Sequence, residues 1–245
     1  MTPLIFDWPV GADEERRQWD KLPGAWIDAT GYGTRYSATG RWAIHTGQDL
    51  NLNTPTYNAD AHSPIYAAAD GDCAFVGKLA VWGSVIVIAH LYTEAVMLWT
   101  RYAHVEAVQV QRNDHVVRGQ QIARVGNADG RYPYHLHYDI ARVDLCAKPS
   151  DWPGDNLARV KRDYLDPKSF MRDQLLMQGV GAKPTRVKVT AIDGLRVRAK
   201  PDTNAARVDA LRHGAVVEIV EQQGNWGRIE QPVGWILLTY TEIAE

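Results

Sequence analysis

The sequence has no apolar run of the roughly 18 residues that a transmembrane helix requires. Its longest buried-looking stretch, VIVIA at 85–89, has only the length of a strand. Residues 1–18 also lack the basic start and the apolar core of a signal peptide. We therefore expect no insertion into a membrane, and a chain that is cytoplasmic, a mature form cut from a longer precursor, or exported by another route.

Cysteine is nearly absent. The two cysteines, Cys73 and Cys146, both lie beside strand-like segments, and no CxxC spacing occurs. A zinc site built on cysteines is therefore not expected, whereas one disulfide and two free thiols are both open. The HExxH motif is missing as well, so a glutamate general base of the thermolysin kind is not indicated.

An excess of charge of either sign is missing too. Lysine and arginine number 27 against 29 acidic residues, which gives a net charge of −2. This balance gives no reason to expect a nucleic acid or an anionic membrane as a partner. Phenylalanine is scarce at three residues, whereas 20 glycines, 12 prolines and nine tryptophans favour a β-rich protein with many turns.

Short strands separated by turns dominate the predicted organisation. Residues 41–143 read as successive strands, which favours an antiparallel sheet or a partly open barrel. Residues 144–180 carry charge and proline breaks, and they predict a connecting segment with a helix over 167–178. Residues 186–245 contain about five further strands, as in a small barrel. The sequence thus predicts a mainly β protein with domains over 1–180 and 186–245, a linker at 181–185 and a helical turn at 13–20.

The first candidate for chemistry is RWAIHTGQDLNL at 41–52, where His45 and Asp49 stand four residues apart. The strand pattern and Gly47 argue against a helix, but a glycine lets a loop fold so that imidazole and carboxylate converge. Both groups are good zinc ligands. The alternative is an exposed loop histidine beside a turn-forming or capping aspartate.

Two further segments place histidines in strand-like sequence. YPYHLHYDI at 132–140 alternates like a strand, so His135, His137 and Asp139 are expected on one face, as a polar exterior or as the wall of a site. In TRYAHV at 100–105, His104 is expected on the strand face of Tyr102. A hydrogen-bonded structural histidine is the alternative there.

Taken in order, these pieces resemble the lysostaphin-type zinc metallopeptidases, whose members cut peptidoglycan cross-bridges or stem peptides. The resemblance covers about residues 40–143 and rests on HTGQDL, SPIYAAADGDCAFVG, RYAHV, DHVVRGQQIARVG and HLHYDI. It implies that His45, Asp49 and His137 bind one zinc ion per chain. It also implies that His104 and His135 stay unligated and act on substrate. Three protein ligands leave the fourth position open, as catalytic zinc requires.

The chain departs from the family pattern beside the last motif. The loop before HLH usually has small residues and ends in Gly-Pro, but here it carries Tyr132 and Tyr134. We expect these bulky residues to contact substrate and to narrow the groove, which puts tolerance for glycine bridges in doubt. Asp139 stands where glutamate is commoner. It is expected either to support a ligand histidine or to be an outward or salt-bridged carboxylate.

The C-terminal strands resemble bacterial SH3-like modules over about residues 186–243. The resemblance rests on LRVRAKPD, NWGRI and VGWILLTY, and in that family such modules often bind cell-wall peptide or glycan. Trp226 and Trp235 are therefore candidate wall-binding residues. The alternative is that these aromatic side chains pack a small barrel.

The sequence and its resemblances favour a zinc endopeptidase of bacterial peptidoglycan with a wall-targeting module. A monomer in the cell envelope or outside the cell is expected. One alternative is a non-catalytic wall-binding or activator protein on the same fold. Another is a zinc peptidase that acts on a peptide outside the cell wall.

Overall fold

A computed structural model describes residues 3–38, 40–178, 185–223 and 225–244, in two compact units of residues 1–174 and 175–245. The mainly β, antiparallel fold class expected from the sequence is confirmed. The strands before the second unit are β1 Ile27–Thr30, β2 Arg35–Ala38, β3 Arg41–Ile44, β4 Gln48–Asn51, β5 Pro64–Tyr66, β6 Gly71–Leu79, β7 Gly83–Thr93, β8 Val96–Glu106, β9 His115–Val116, β10 Gln121–Val125, β11 Leu136–Ala141 and β12 Tyr164–Leu165. The helices are α1 Asp13–Arg16, α2 Leu157–Asp163 and α3 Pro167–Gln178.

One large antiparallel sheet organises the first unit. Its strands lie in the order β1-β4-β11-β8-β7-β6-β9, with β12 paired to β11, β10 paired to β8 and to β5, and β2–β3 forming a separate hairpin. Because side chains alternate between the two faces of a strand, β11 sends Tyr138 to one face and His137 to the other. Tyr138 packs against Tyr102 of β8 in the interior. The face that carries His137 is covered by Trp82 and Tyr164.

Two element bounds differ from the sequence prediction. The helix expected at 13–20 ends at Arg16, whose carbonyl oxygen accepts a hydrogen bond from the N–H of Trp8 instead of continuing the helix. The strand expected over 132–140 begins only at Leu136. The preceding residues form a loop, because Pro133 has no N–H to donate and the N–H of Tyr132 donates to Asn127. The helix predicted over 167–178 is observed as α3.

The described residues of the second unit form eight strands where about five were expected. They form a three-stranded sheet in the order β16-β13-β20 and a five-stranded sheet in the order β15-β14-β19-β18-β17. Their buried side chains share one apolar cluster that includes Val197, Ile229 and Ile236. The bounds are β13 Thr185–Val189, β14 Leu195–Arg198, β15 Arg207–Leu211, β16 Val216–Ile219, β17 Glu221–Gln223, β18 Trp226–Glu230, β19 Val233–Leu237 and β20 Thr241–Ile243.

The sequence predicted a linker between the two domains and no insertion into a membrane. Most of the linker expected at 181–185 lies outside the described residues. Within the described part of the chain, no helix has both the length and the hydropathy needed to cross a bilayer.

Candidate metal centre

Three side chains from two distant segments of the chain converge on one face of the large sheet. Asp49 of β4 and His137 of β11 are directly paired across the two strands, so their side chains leave the sheet on the same side. His45 reaches them from the turn between β3 and β4. The two histidine side chains are almost fully buried, and Asp49 is partly buried.

Gly47 allows that turn to pass over β11. A Cβ atom at this position would lie 2.8 Å from Cα of Asp139 and even closer to the carbonyl oxygen of Tyr138. No side chain fits such a gap, so the glycine is required by close approach of two backbone segments. The sequence prediction that a glycine brings His45 and Asp49 together thus has a physical basis in this contact.

The three possible ligand atoms lie as close together as the ligands of a metal ion. Nε2 of His45 lies 3.0 Å from Nδ1 of His137 and 3.0 Å from Oδ1 of Asp49, and the third edge measures 3.1 Å. Ligands about 2.0–2.1 Å from tetrahedral zinc lie roughly 3.3–3.4 Å apart. Two imidazoles and one carboxylate on such a triangle fit a zinc ion with one coordination position left open.

Asp49 is ionised in this setting. Burial alone would raise the pKa of its carboxyl group, but hydrogen bonds from His137 and His45 hold that pKa well below its ordinary value. The group is therefore a carboxylate at neutral pH, which is the form that binds a cation.

His137 is held from behind by a second carboxylate. Its Nε2 lies 3.0 Å from Oδ2 of Asp139, which also accepts a hydrogen bond from the hydroxyl group of Thr46 at 2.8 Å and forms an ion pair with Arg101. Asp139 is completely buried. It is thus salt-bridged but does not point outward, and it supports a candidate ligand histidine at the same time.

His104 reaches the site through a β-bulge, and the prediction that it shares a face with Tyr102 is wrong. Ala103 pairs with Val85 and Val105 pairs with Ser84, so His104 is an extra residue in β8. Its φ of +63° lies in the left-handed region. The bulge turns the imidazole toward the metal-site face, where its ring centroid lies 4.7 Å from that of His135 and 6.0 Å from that of His137.

The main chain fixes the orientation of both remaining histidines. Nδ1 of His104 lies 3.0 Å from the carbonyl oxygen of Trp82, and Nδ1 of His135 lies 2.8 Å from that of Pro133. A carbonyl accepts only, so each Nδ1 carries the hydrogen and each Nε2 keeps a free lone pair. Burial lowers the pKa of His104 well below its ordinary value and also lowers that of His135. Both rings are therefore neutral proton acceptors near pH 7.

Sequence reasoning missed an aromatic wall around these groups. Trp82 lies 5.3 Å from the ring of His137, Trp152 lies 6.0 Å from that of His45, and Tyr36 also lies 6.0 Å from His45. Burial, and to a lesser degree the charge of Asp49, raises the pKa of Tyr36 above its ordinary value. Its hydroxyl group therefore remains a hydrogen-bond donor at neutral pH. No local motif marks these three residues, which come from distant segments.

The two tyrosines predicted to contact substrate have different surroundings. The ring of Tyr132 lies 4.9 Å from that of His104, directly beside the site. The ring of Tyr134 packs on His62 at 5.1 Å, while its carbonyl oxygen accepts a hydrogen bond from Asn51. Tyr132 is therefore better placed than Tyr134 to touch a bound peptide.

In the second unit, Trp226 and Trp235 lie on neighbouring strands and are both half-buried. They alternate with the core residues Gly227 and Ile236, so their rings leave the five-stranded sheet on the face away from the apolar cluster. Trp235 pairs across the strands with Arg228 on one side and with Arg198 on the other. These rings are partly exposed on that face, and they are not the centre of the core.

The two cysteines and the remaining histidines of the first unit are not part of the site. Cys73 and Cys146 are both free thiols, so the disulfide left open by the sequence is not formed. His90 is completely buried and hydrogen-bonds to Asp70 and Thr100. Two exposed histidines of the first unit form surface ion pairs: His62 with Glu106, and His115 with Asp72.

Comparison with known proteins gives two domain matches. Residues 43–149 match Peptidase family M23, and residues 193–242 match the bacterial SH3 domain. The chain is 28% identical over 132 residues to the peptidoglycan DD-endopeptidase ShyA of Vibrio cholerae, which covers 52% of this chain and 28% of that protein. It is 34% identical over 103 residues to the DD-carboxypeptidase/endopeptidase Mpg of Neisseria meningitidis, which covers 42% of this chain and 21% of that protein.

The chain therefore spans only about a quarter of the length of these curated relatives. Among solved structures, the catalytic domain of the antimicrobial peptidase lysostaphin from Staphylococcus simulans is 20% identical. That comparison covers 60% of this chain and 92% of the other, with a TM-score of 0.43.

Proposed function

We propose that this chain, whose two domains are a Peptidase family M23 domain and a bacterial SH3 domain, is a zinc-dependent endopeptidase of bacterial peptidoglycan. The observation that carries the proposal is the triangle of His45, Asp49 and His137, with edges of 3.0–3.1 Å, beside two unligated histidines. The substrates would be the stem peptides or cross-bridges of the cell wall. The enzyme would act in the cell envelope or outside the cell.

His45, Asp49 and His137 would hold one zinc ion. Zinc at such a site lowers the pKa of a water molecule to about 7 and polarises a peptide carbonyl group. The three ligands carry one negative charge in total, which leaves a net positive charge at the open position. Substrate oxygen atoms would be drawn to that position by the same charge.

His104 and His135 would move the protons. Each keeps a free Nε2 lone pair because a main-chain carbonyl oxygen occupies its Nδ1–H. Either imidazole can take the proton from the attacking water onto its free Nε2 and, once protonated there, can donate that same proton to the leaving amine. General acid–base groups of this kind contribute roughly 10²–10⁴-fold to the rate. The hydroxyl group of Tyr36 can donate a hydrogen bond to the developing oxyanion.

The aromatic wall would exclude water and shape the groove. Trp82 and Trp152 cover the metal site from one side, and Tyr132 borders His104 on another. Electrostatic interactions strengthen where water is excluded. The bulk of Tyr132 and Tyr134 favours a stem peptide over a glycine bridge as the bound segment.

The second unit would tether the enzyme to its substrate. The outward-facing rings of Trp226 and Trp235 could stack on peptide or sugar surfaces of the wall. A tether raises the local concentration of the catalytic unit near further bonds of the same polymer. Such a role requires no contribution of the second unit to the chemistry.

The deciding experiment is digestion of purified peptidoglycan by the zinc-loaded full chain, with the products identified by mass spectrometry. Released fragments with a new amino terminus would establish both the activity and the bond cleaved. A chelated sample is the control. Intact peptidoglycan together with cleavage of an unrelated peptide would instead indicate a peptidase outside the cell wall, and no cleavage of either by a zinc-loaded protein would contradict the proposal.

A further inference from the structure

Arg101 is a completely buried cation close to the metal site. It lies opposite Asp139 on the paired strands β8 and β11, two residues from the pair of Ala103 with His137. A buried charge is costly unless it is paired and hydrogen-bonded. Arg101 meets this condition through its two terminal nitrogens, Nη1 and Nη2, which together contact several partners.

One side of the guanidinium group faces the second carboxylate of the site. Arg101 forms an ion pair with Oδ2 of Asp139, the same oxygen that lies 3.0 Å from Nε2 of His137. With Asp139 as acceptor, Nε2 of His137 carries a hydrogen, which leaves Nδ1 as the nitrogen that would offer its lone pair to a metal ion held together with Asp49 and His45. Among the described residues, Nδ1 of His45 has no comparable partner. The orientation of the ligand histidines is therefore controlled from the His137 side.

The other side of the guanidinium group holds the segment that carries Trp152. Nη1 of Arg101 donates to the carbonyl oxygens of Pro149 and Asp151, at 3.0 and 2.9 Å. The next residue, Trp152, lies 5.7 Å from the ring of His137. The guanidinium carbon also stands 4.2 Å from the ring centroid of Trp82, a cation–π contact.

We propose that Arg101 is a positioning residue that acts on the metal site through Asp139 and Trp152. It holds the Asp139 carboxylate on Nε2 of His137, and with the same side chain it holds the Trp152 segment against the site. Lysine cannot replace it, because an ammonium group lacks the planar fork that bonds a carboxylate and two carbonyl oxygens together. The inference rests on the proposed function only in taking His137 as a metal ligand.

The test compares Arg101→Lys and Asp139→Asn with a control at Arg16. Arg16 is also buried, pairs with Asp13, donates to the carbonyl oxygen of Gly11 and stands over the ring of Tyr66, but it lies outside the metal site. Zinc affinity is measured by competition with a fluorescent chelator on the full chain, and thermal unfolding is followed in the presence of excess chelator.

We expect Arg101→Lys and Asp139→Asn each to weaken zinc binding about 10–100-fold, the usual effect of losing an outer-shell partner. Arg16→Lys should lower the melting temperature but leave zinc affinity within about twofold. Trp152 borders the site without supplying a ligand atom, so the effect of Arg101 on zinc affinity passes through Asp139, and the double variant should bind zinc no more weakly than Asp139→Asn alone.

A zinc affinity unchanged in Arg101→Lys, with a melting temperature lowered as in Arg16→Lys, would show that Arg101 is only structural. Should Arg101→Lys fail to fold, Asp139→Asn decides, and an unchanged affinity there overturns the proposal. Failure of the wild-type chain to bind zinc is a different result, which contradicts the proposed function itself.

Discussion

The imidazole of His104 and the carbonyl oxygen of Trp82 form a hydrogen bond of 3.0 Å that faces the basic nitrogen of the ring toward the metal site. The main-chain N–H of His104 donates to the same oxygen at 3.1 Å. Both bonds depend on the bulge in β8 and on the turn before Gly83. The backbone of the β6–β7 turn therefore fixes which nitrogen of His104 in β8 carries the hydrogen.

Single replacements should distinguish the three expected metal ligands from the two expected catalytic histidines by their effect on metal content. His45→Ala, Asp49→Ala and His137→Ala should lose both metal and activity, since each removes a corner of the triangle. His104→Ala and His135→Ala should keep stoichiometric zinc and lose roughly 10²–10⁴-fold in kcat. Metal analysis and peptidoglycan digestion measure these outcomes, and zinc retained in all five variants would refute the assignment.

Removal of the metal should destabilise the first unit. A ligand present at 100 times its dissociation constant stabilises the folded state by about 2.7 kcal/mol. For a protein of this size, that corresponds to a fall of about 5–10 °C in melting temperature on chelation. Differential scanning calorimetry with and without chelator checks it. The His137→Ala variant is the control, because its melting temperature should not respond to zinc.

Gly47→Ala should disrupt the metal site without touching a ligand. Its Cβ would collide with the backbone of Tyr138 and Asp139, so the turn must move away from β11 at a cost of about 1–3 kcal/mol or more. Zinc affinity should fall together with the free energy of unfolding. Gly214→Ala is the control: its φ of +78° makes alanine strained, but no atom blocks it, so zinc affinity should not change.

Acid should destabilise the fold through His90. Burial lowers the pKa of this residue to about 4, although a hydrogen bond to the Asp70 carbonyl oxygen opposes the shift. The unfolded chain has an ordinary pKa of about 6.5 and binds the proton more readily, so this stability is present above pH 6.5 and is lost as pH falls toward 4. The loss amounts to roughly 3 kcal/mol at most. Urea unfolding from pH 7 to 4 should show a shallower decline for His90→Gln, and equal slopes would disprove the linkage.

Trp235→Ala should separate wall binding from hydrolysis. Loss of a stacking ring should weaken binding to intact peptidoglycan about tenfold, while cleavage of a small soluble fragment should continue at the wild-type rate. A pull-down with insoluble peptidoglycan and a peptide assay provide the two readouts. Val208→Ala, an exposed apolar change in the same sheet, is the control. Equal binding by Trp235→Ala and the wild type would remove this residue from the binding surface.

The mainly β fold could be predicted because its turn and strand signals are local, whereas the site residues were predicted from a resemblance carried by five short motifs in order. The histidine and aspartate around Gly47 and the pair around Leu136 are close in sequence. The bulge at His104 could not be predicted, since alternation with period two does not reveal one inserted residue. The contact of Arg101 with Asp139 depends on the register between β8 and β11, which neither strand specifies alone. The packing of Tyr36 and Trp152 around His45 could not be predicted either, because these two residues lie more than 100 residues apart in the chain.

The contacts of Arg101 also determine where the first unit can be cut. The domain match ends at residue 149, yet the carbonyl oxygen of Asp151 and the ring of Trp152 belong to the surroundings of the site. The short strand β12 then pairs with Ile140 and Ala141 of β11, just beyond Asp139. A fragment that stops at residue 149 would lack one of the two carbonyl oxygens that Arg101 binds and one wall of the groove. The smallest fragment that keeps the surroundings of the site should therefore extend at least to Leu165.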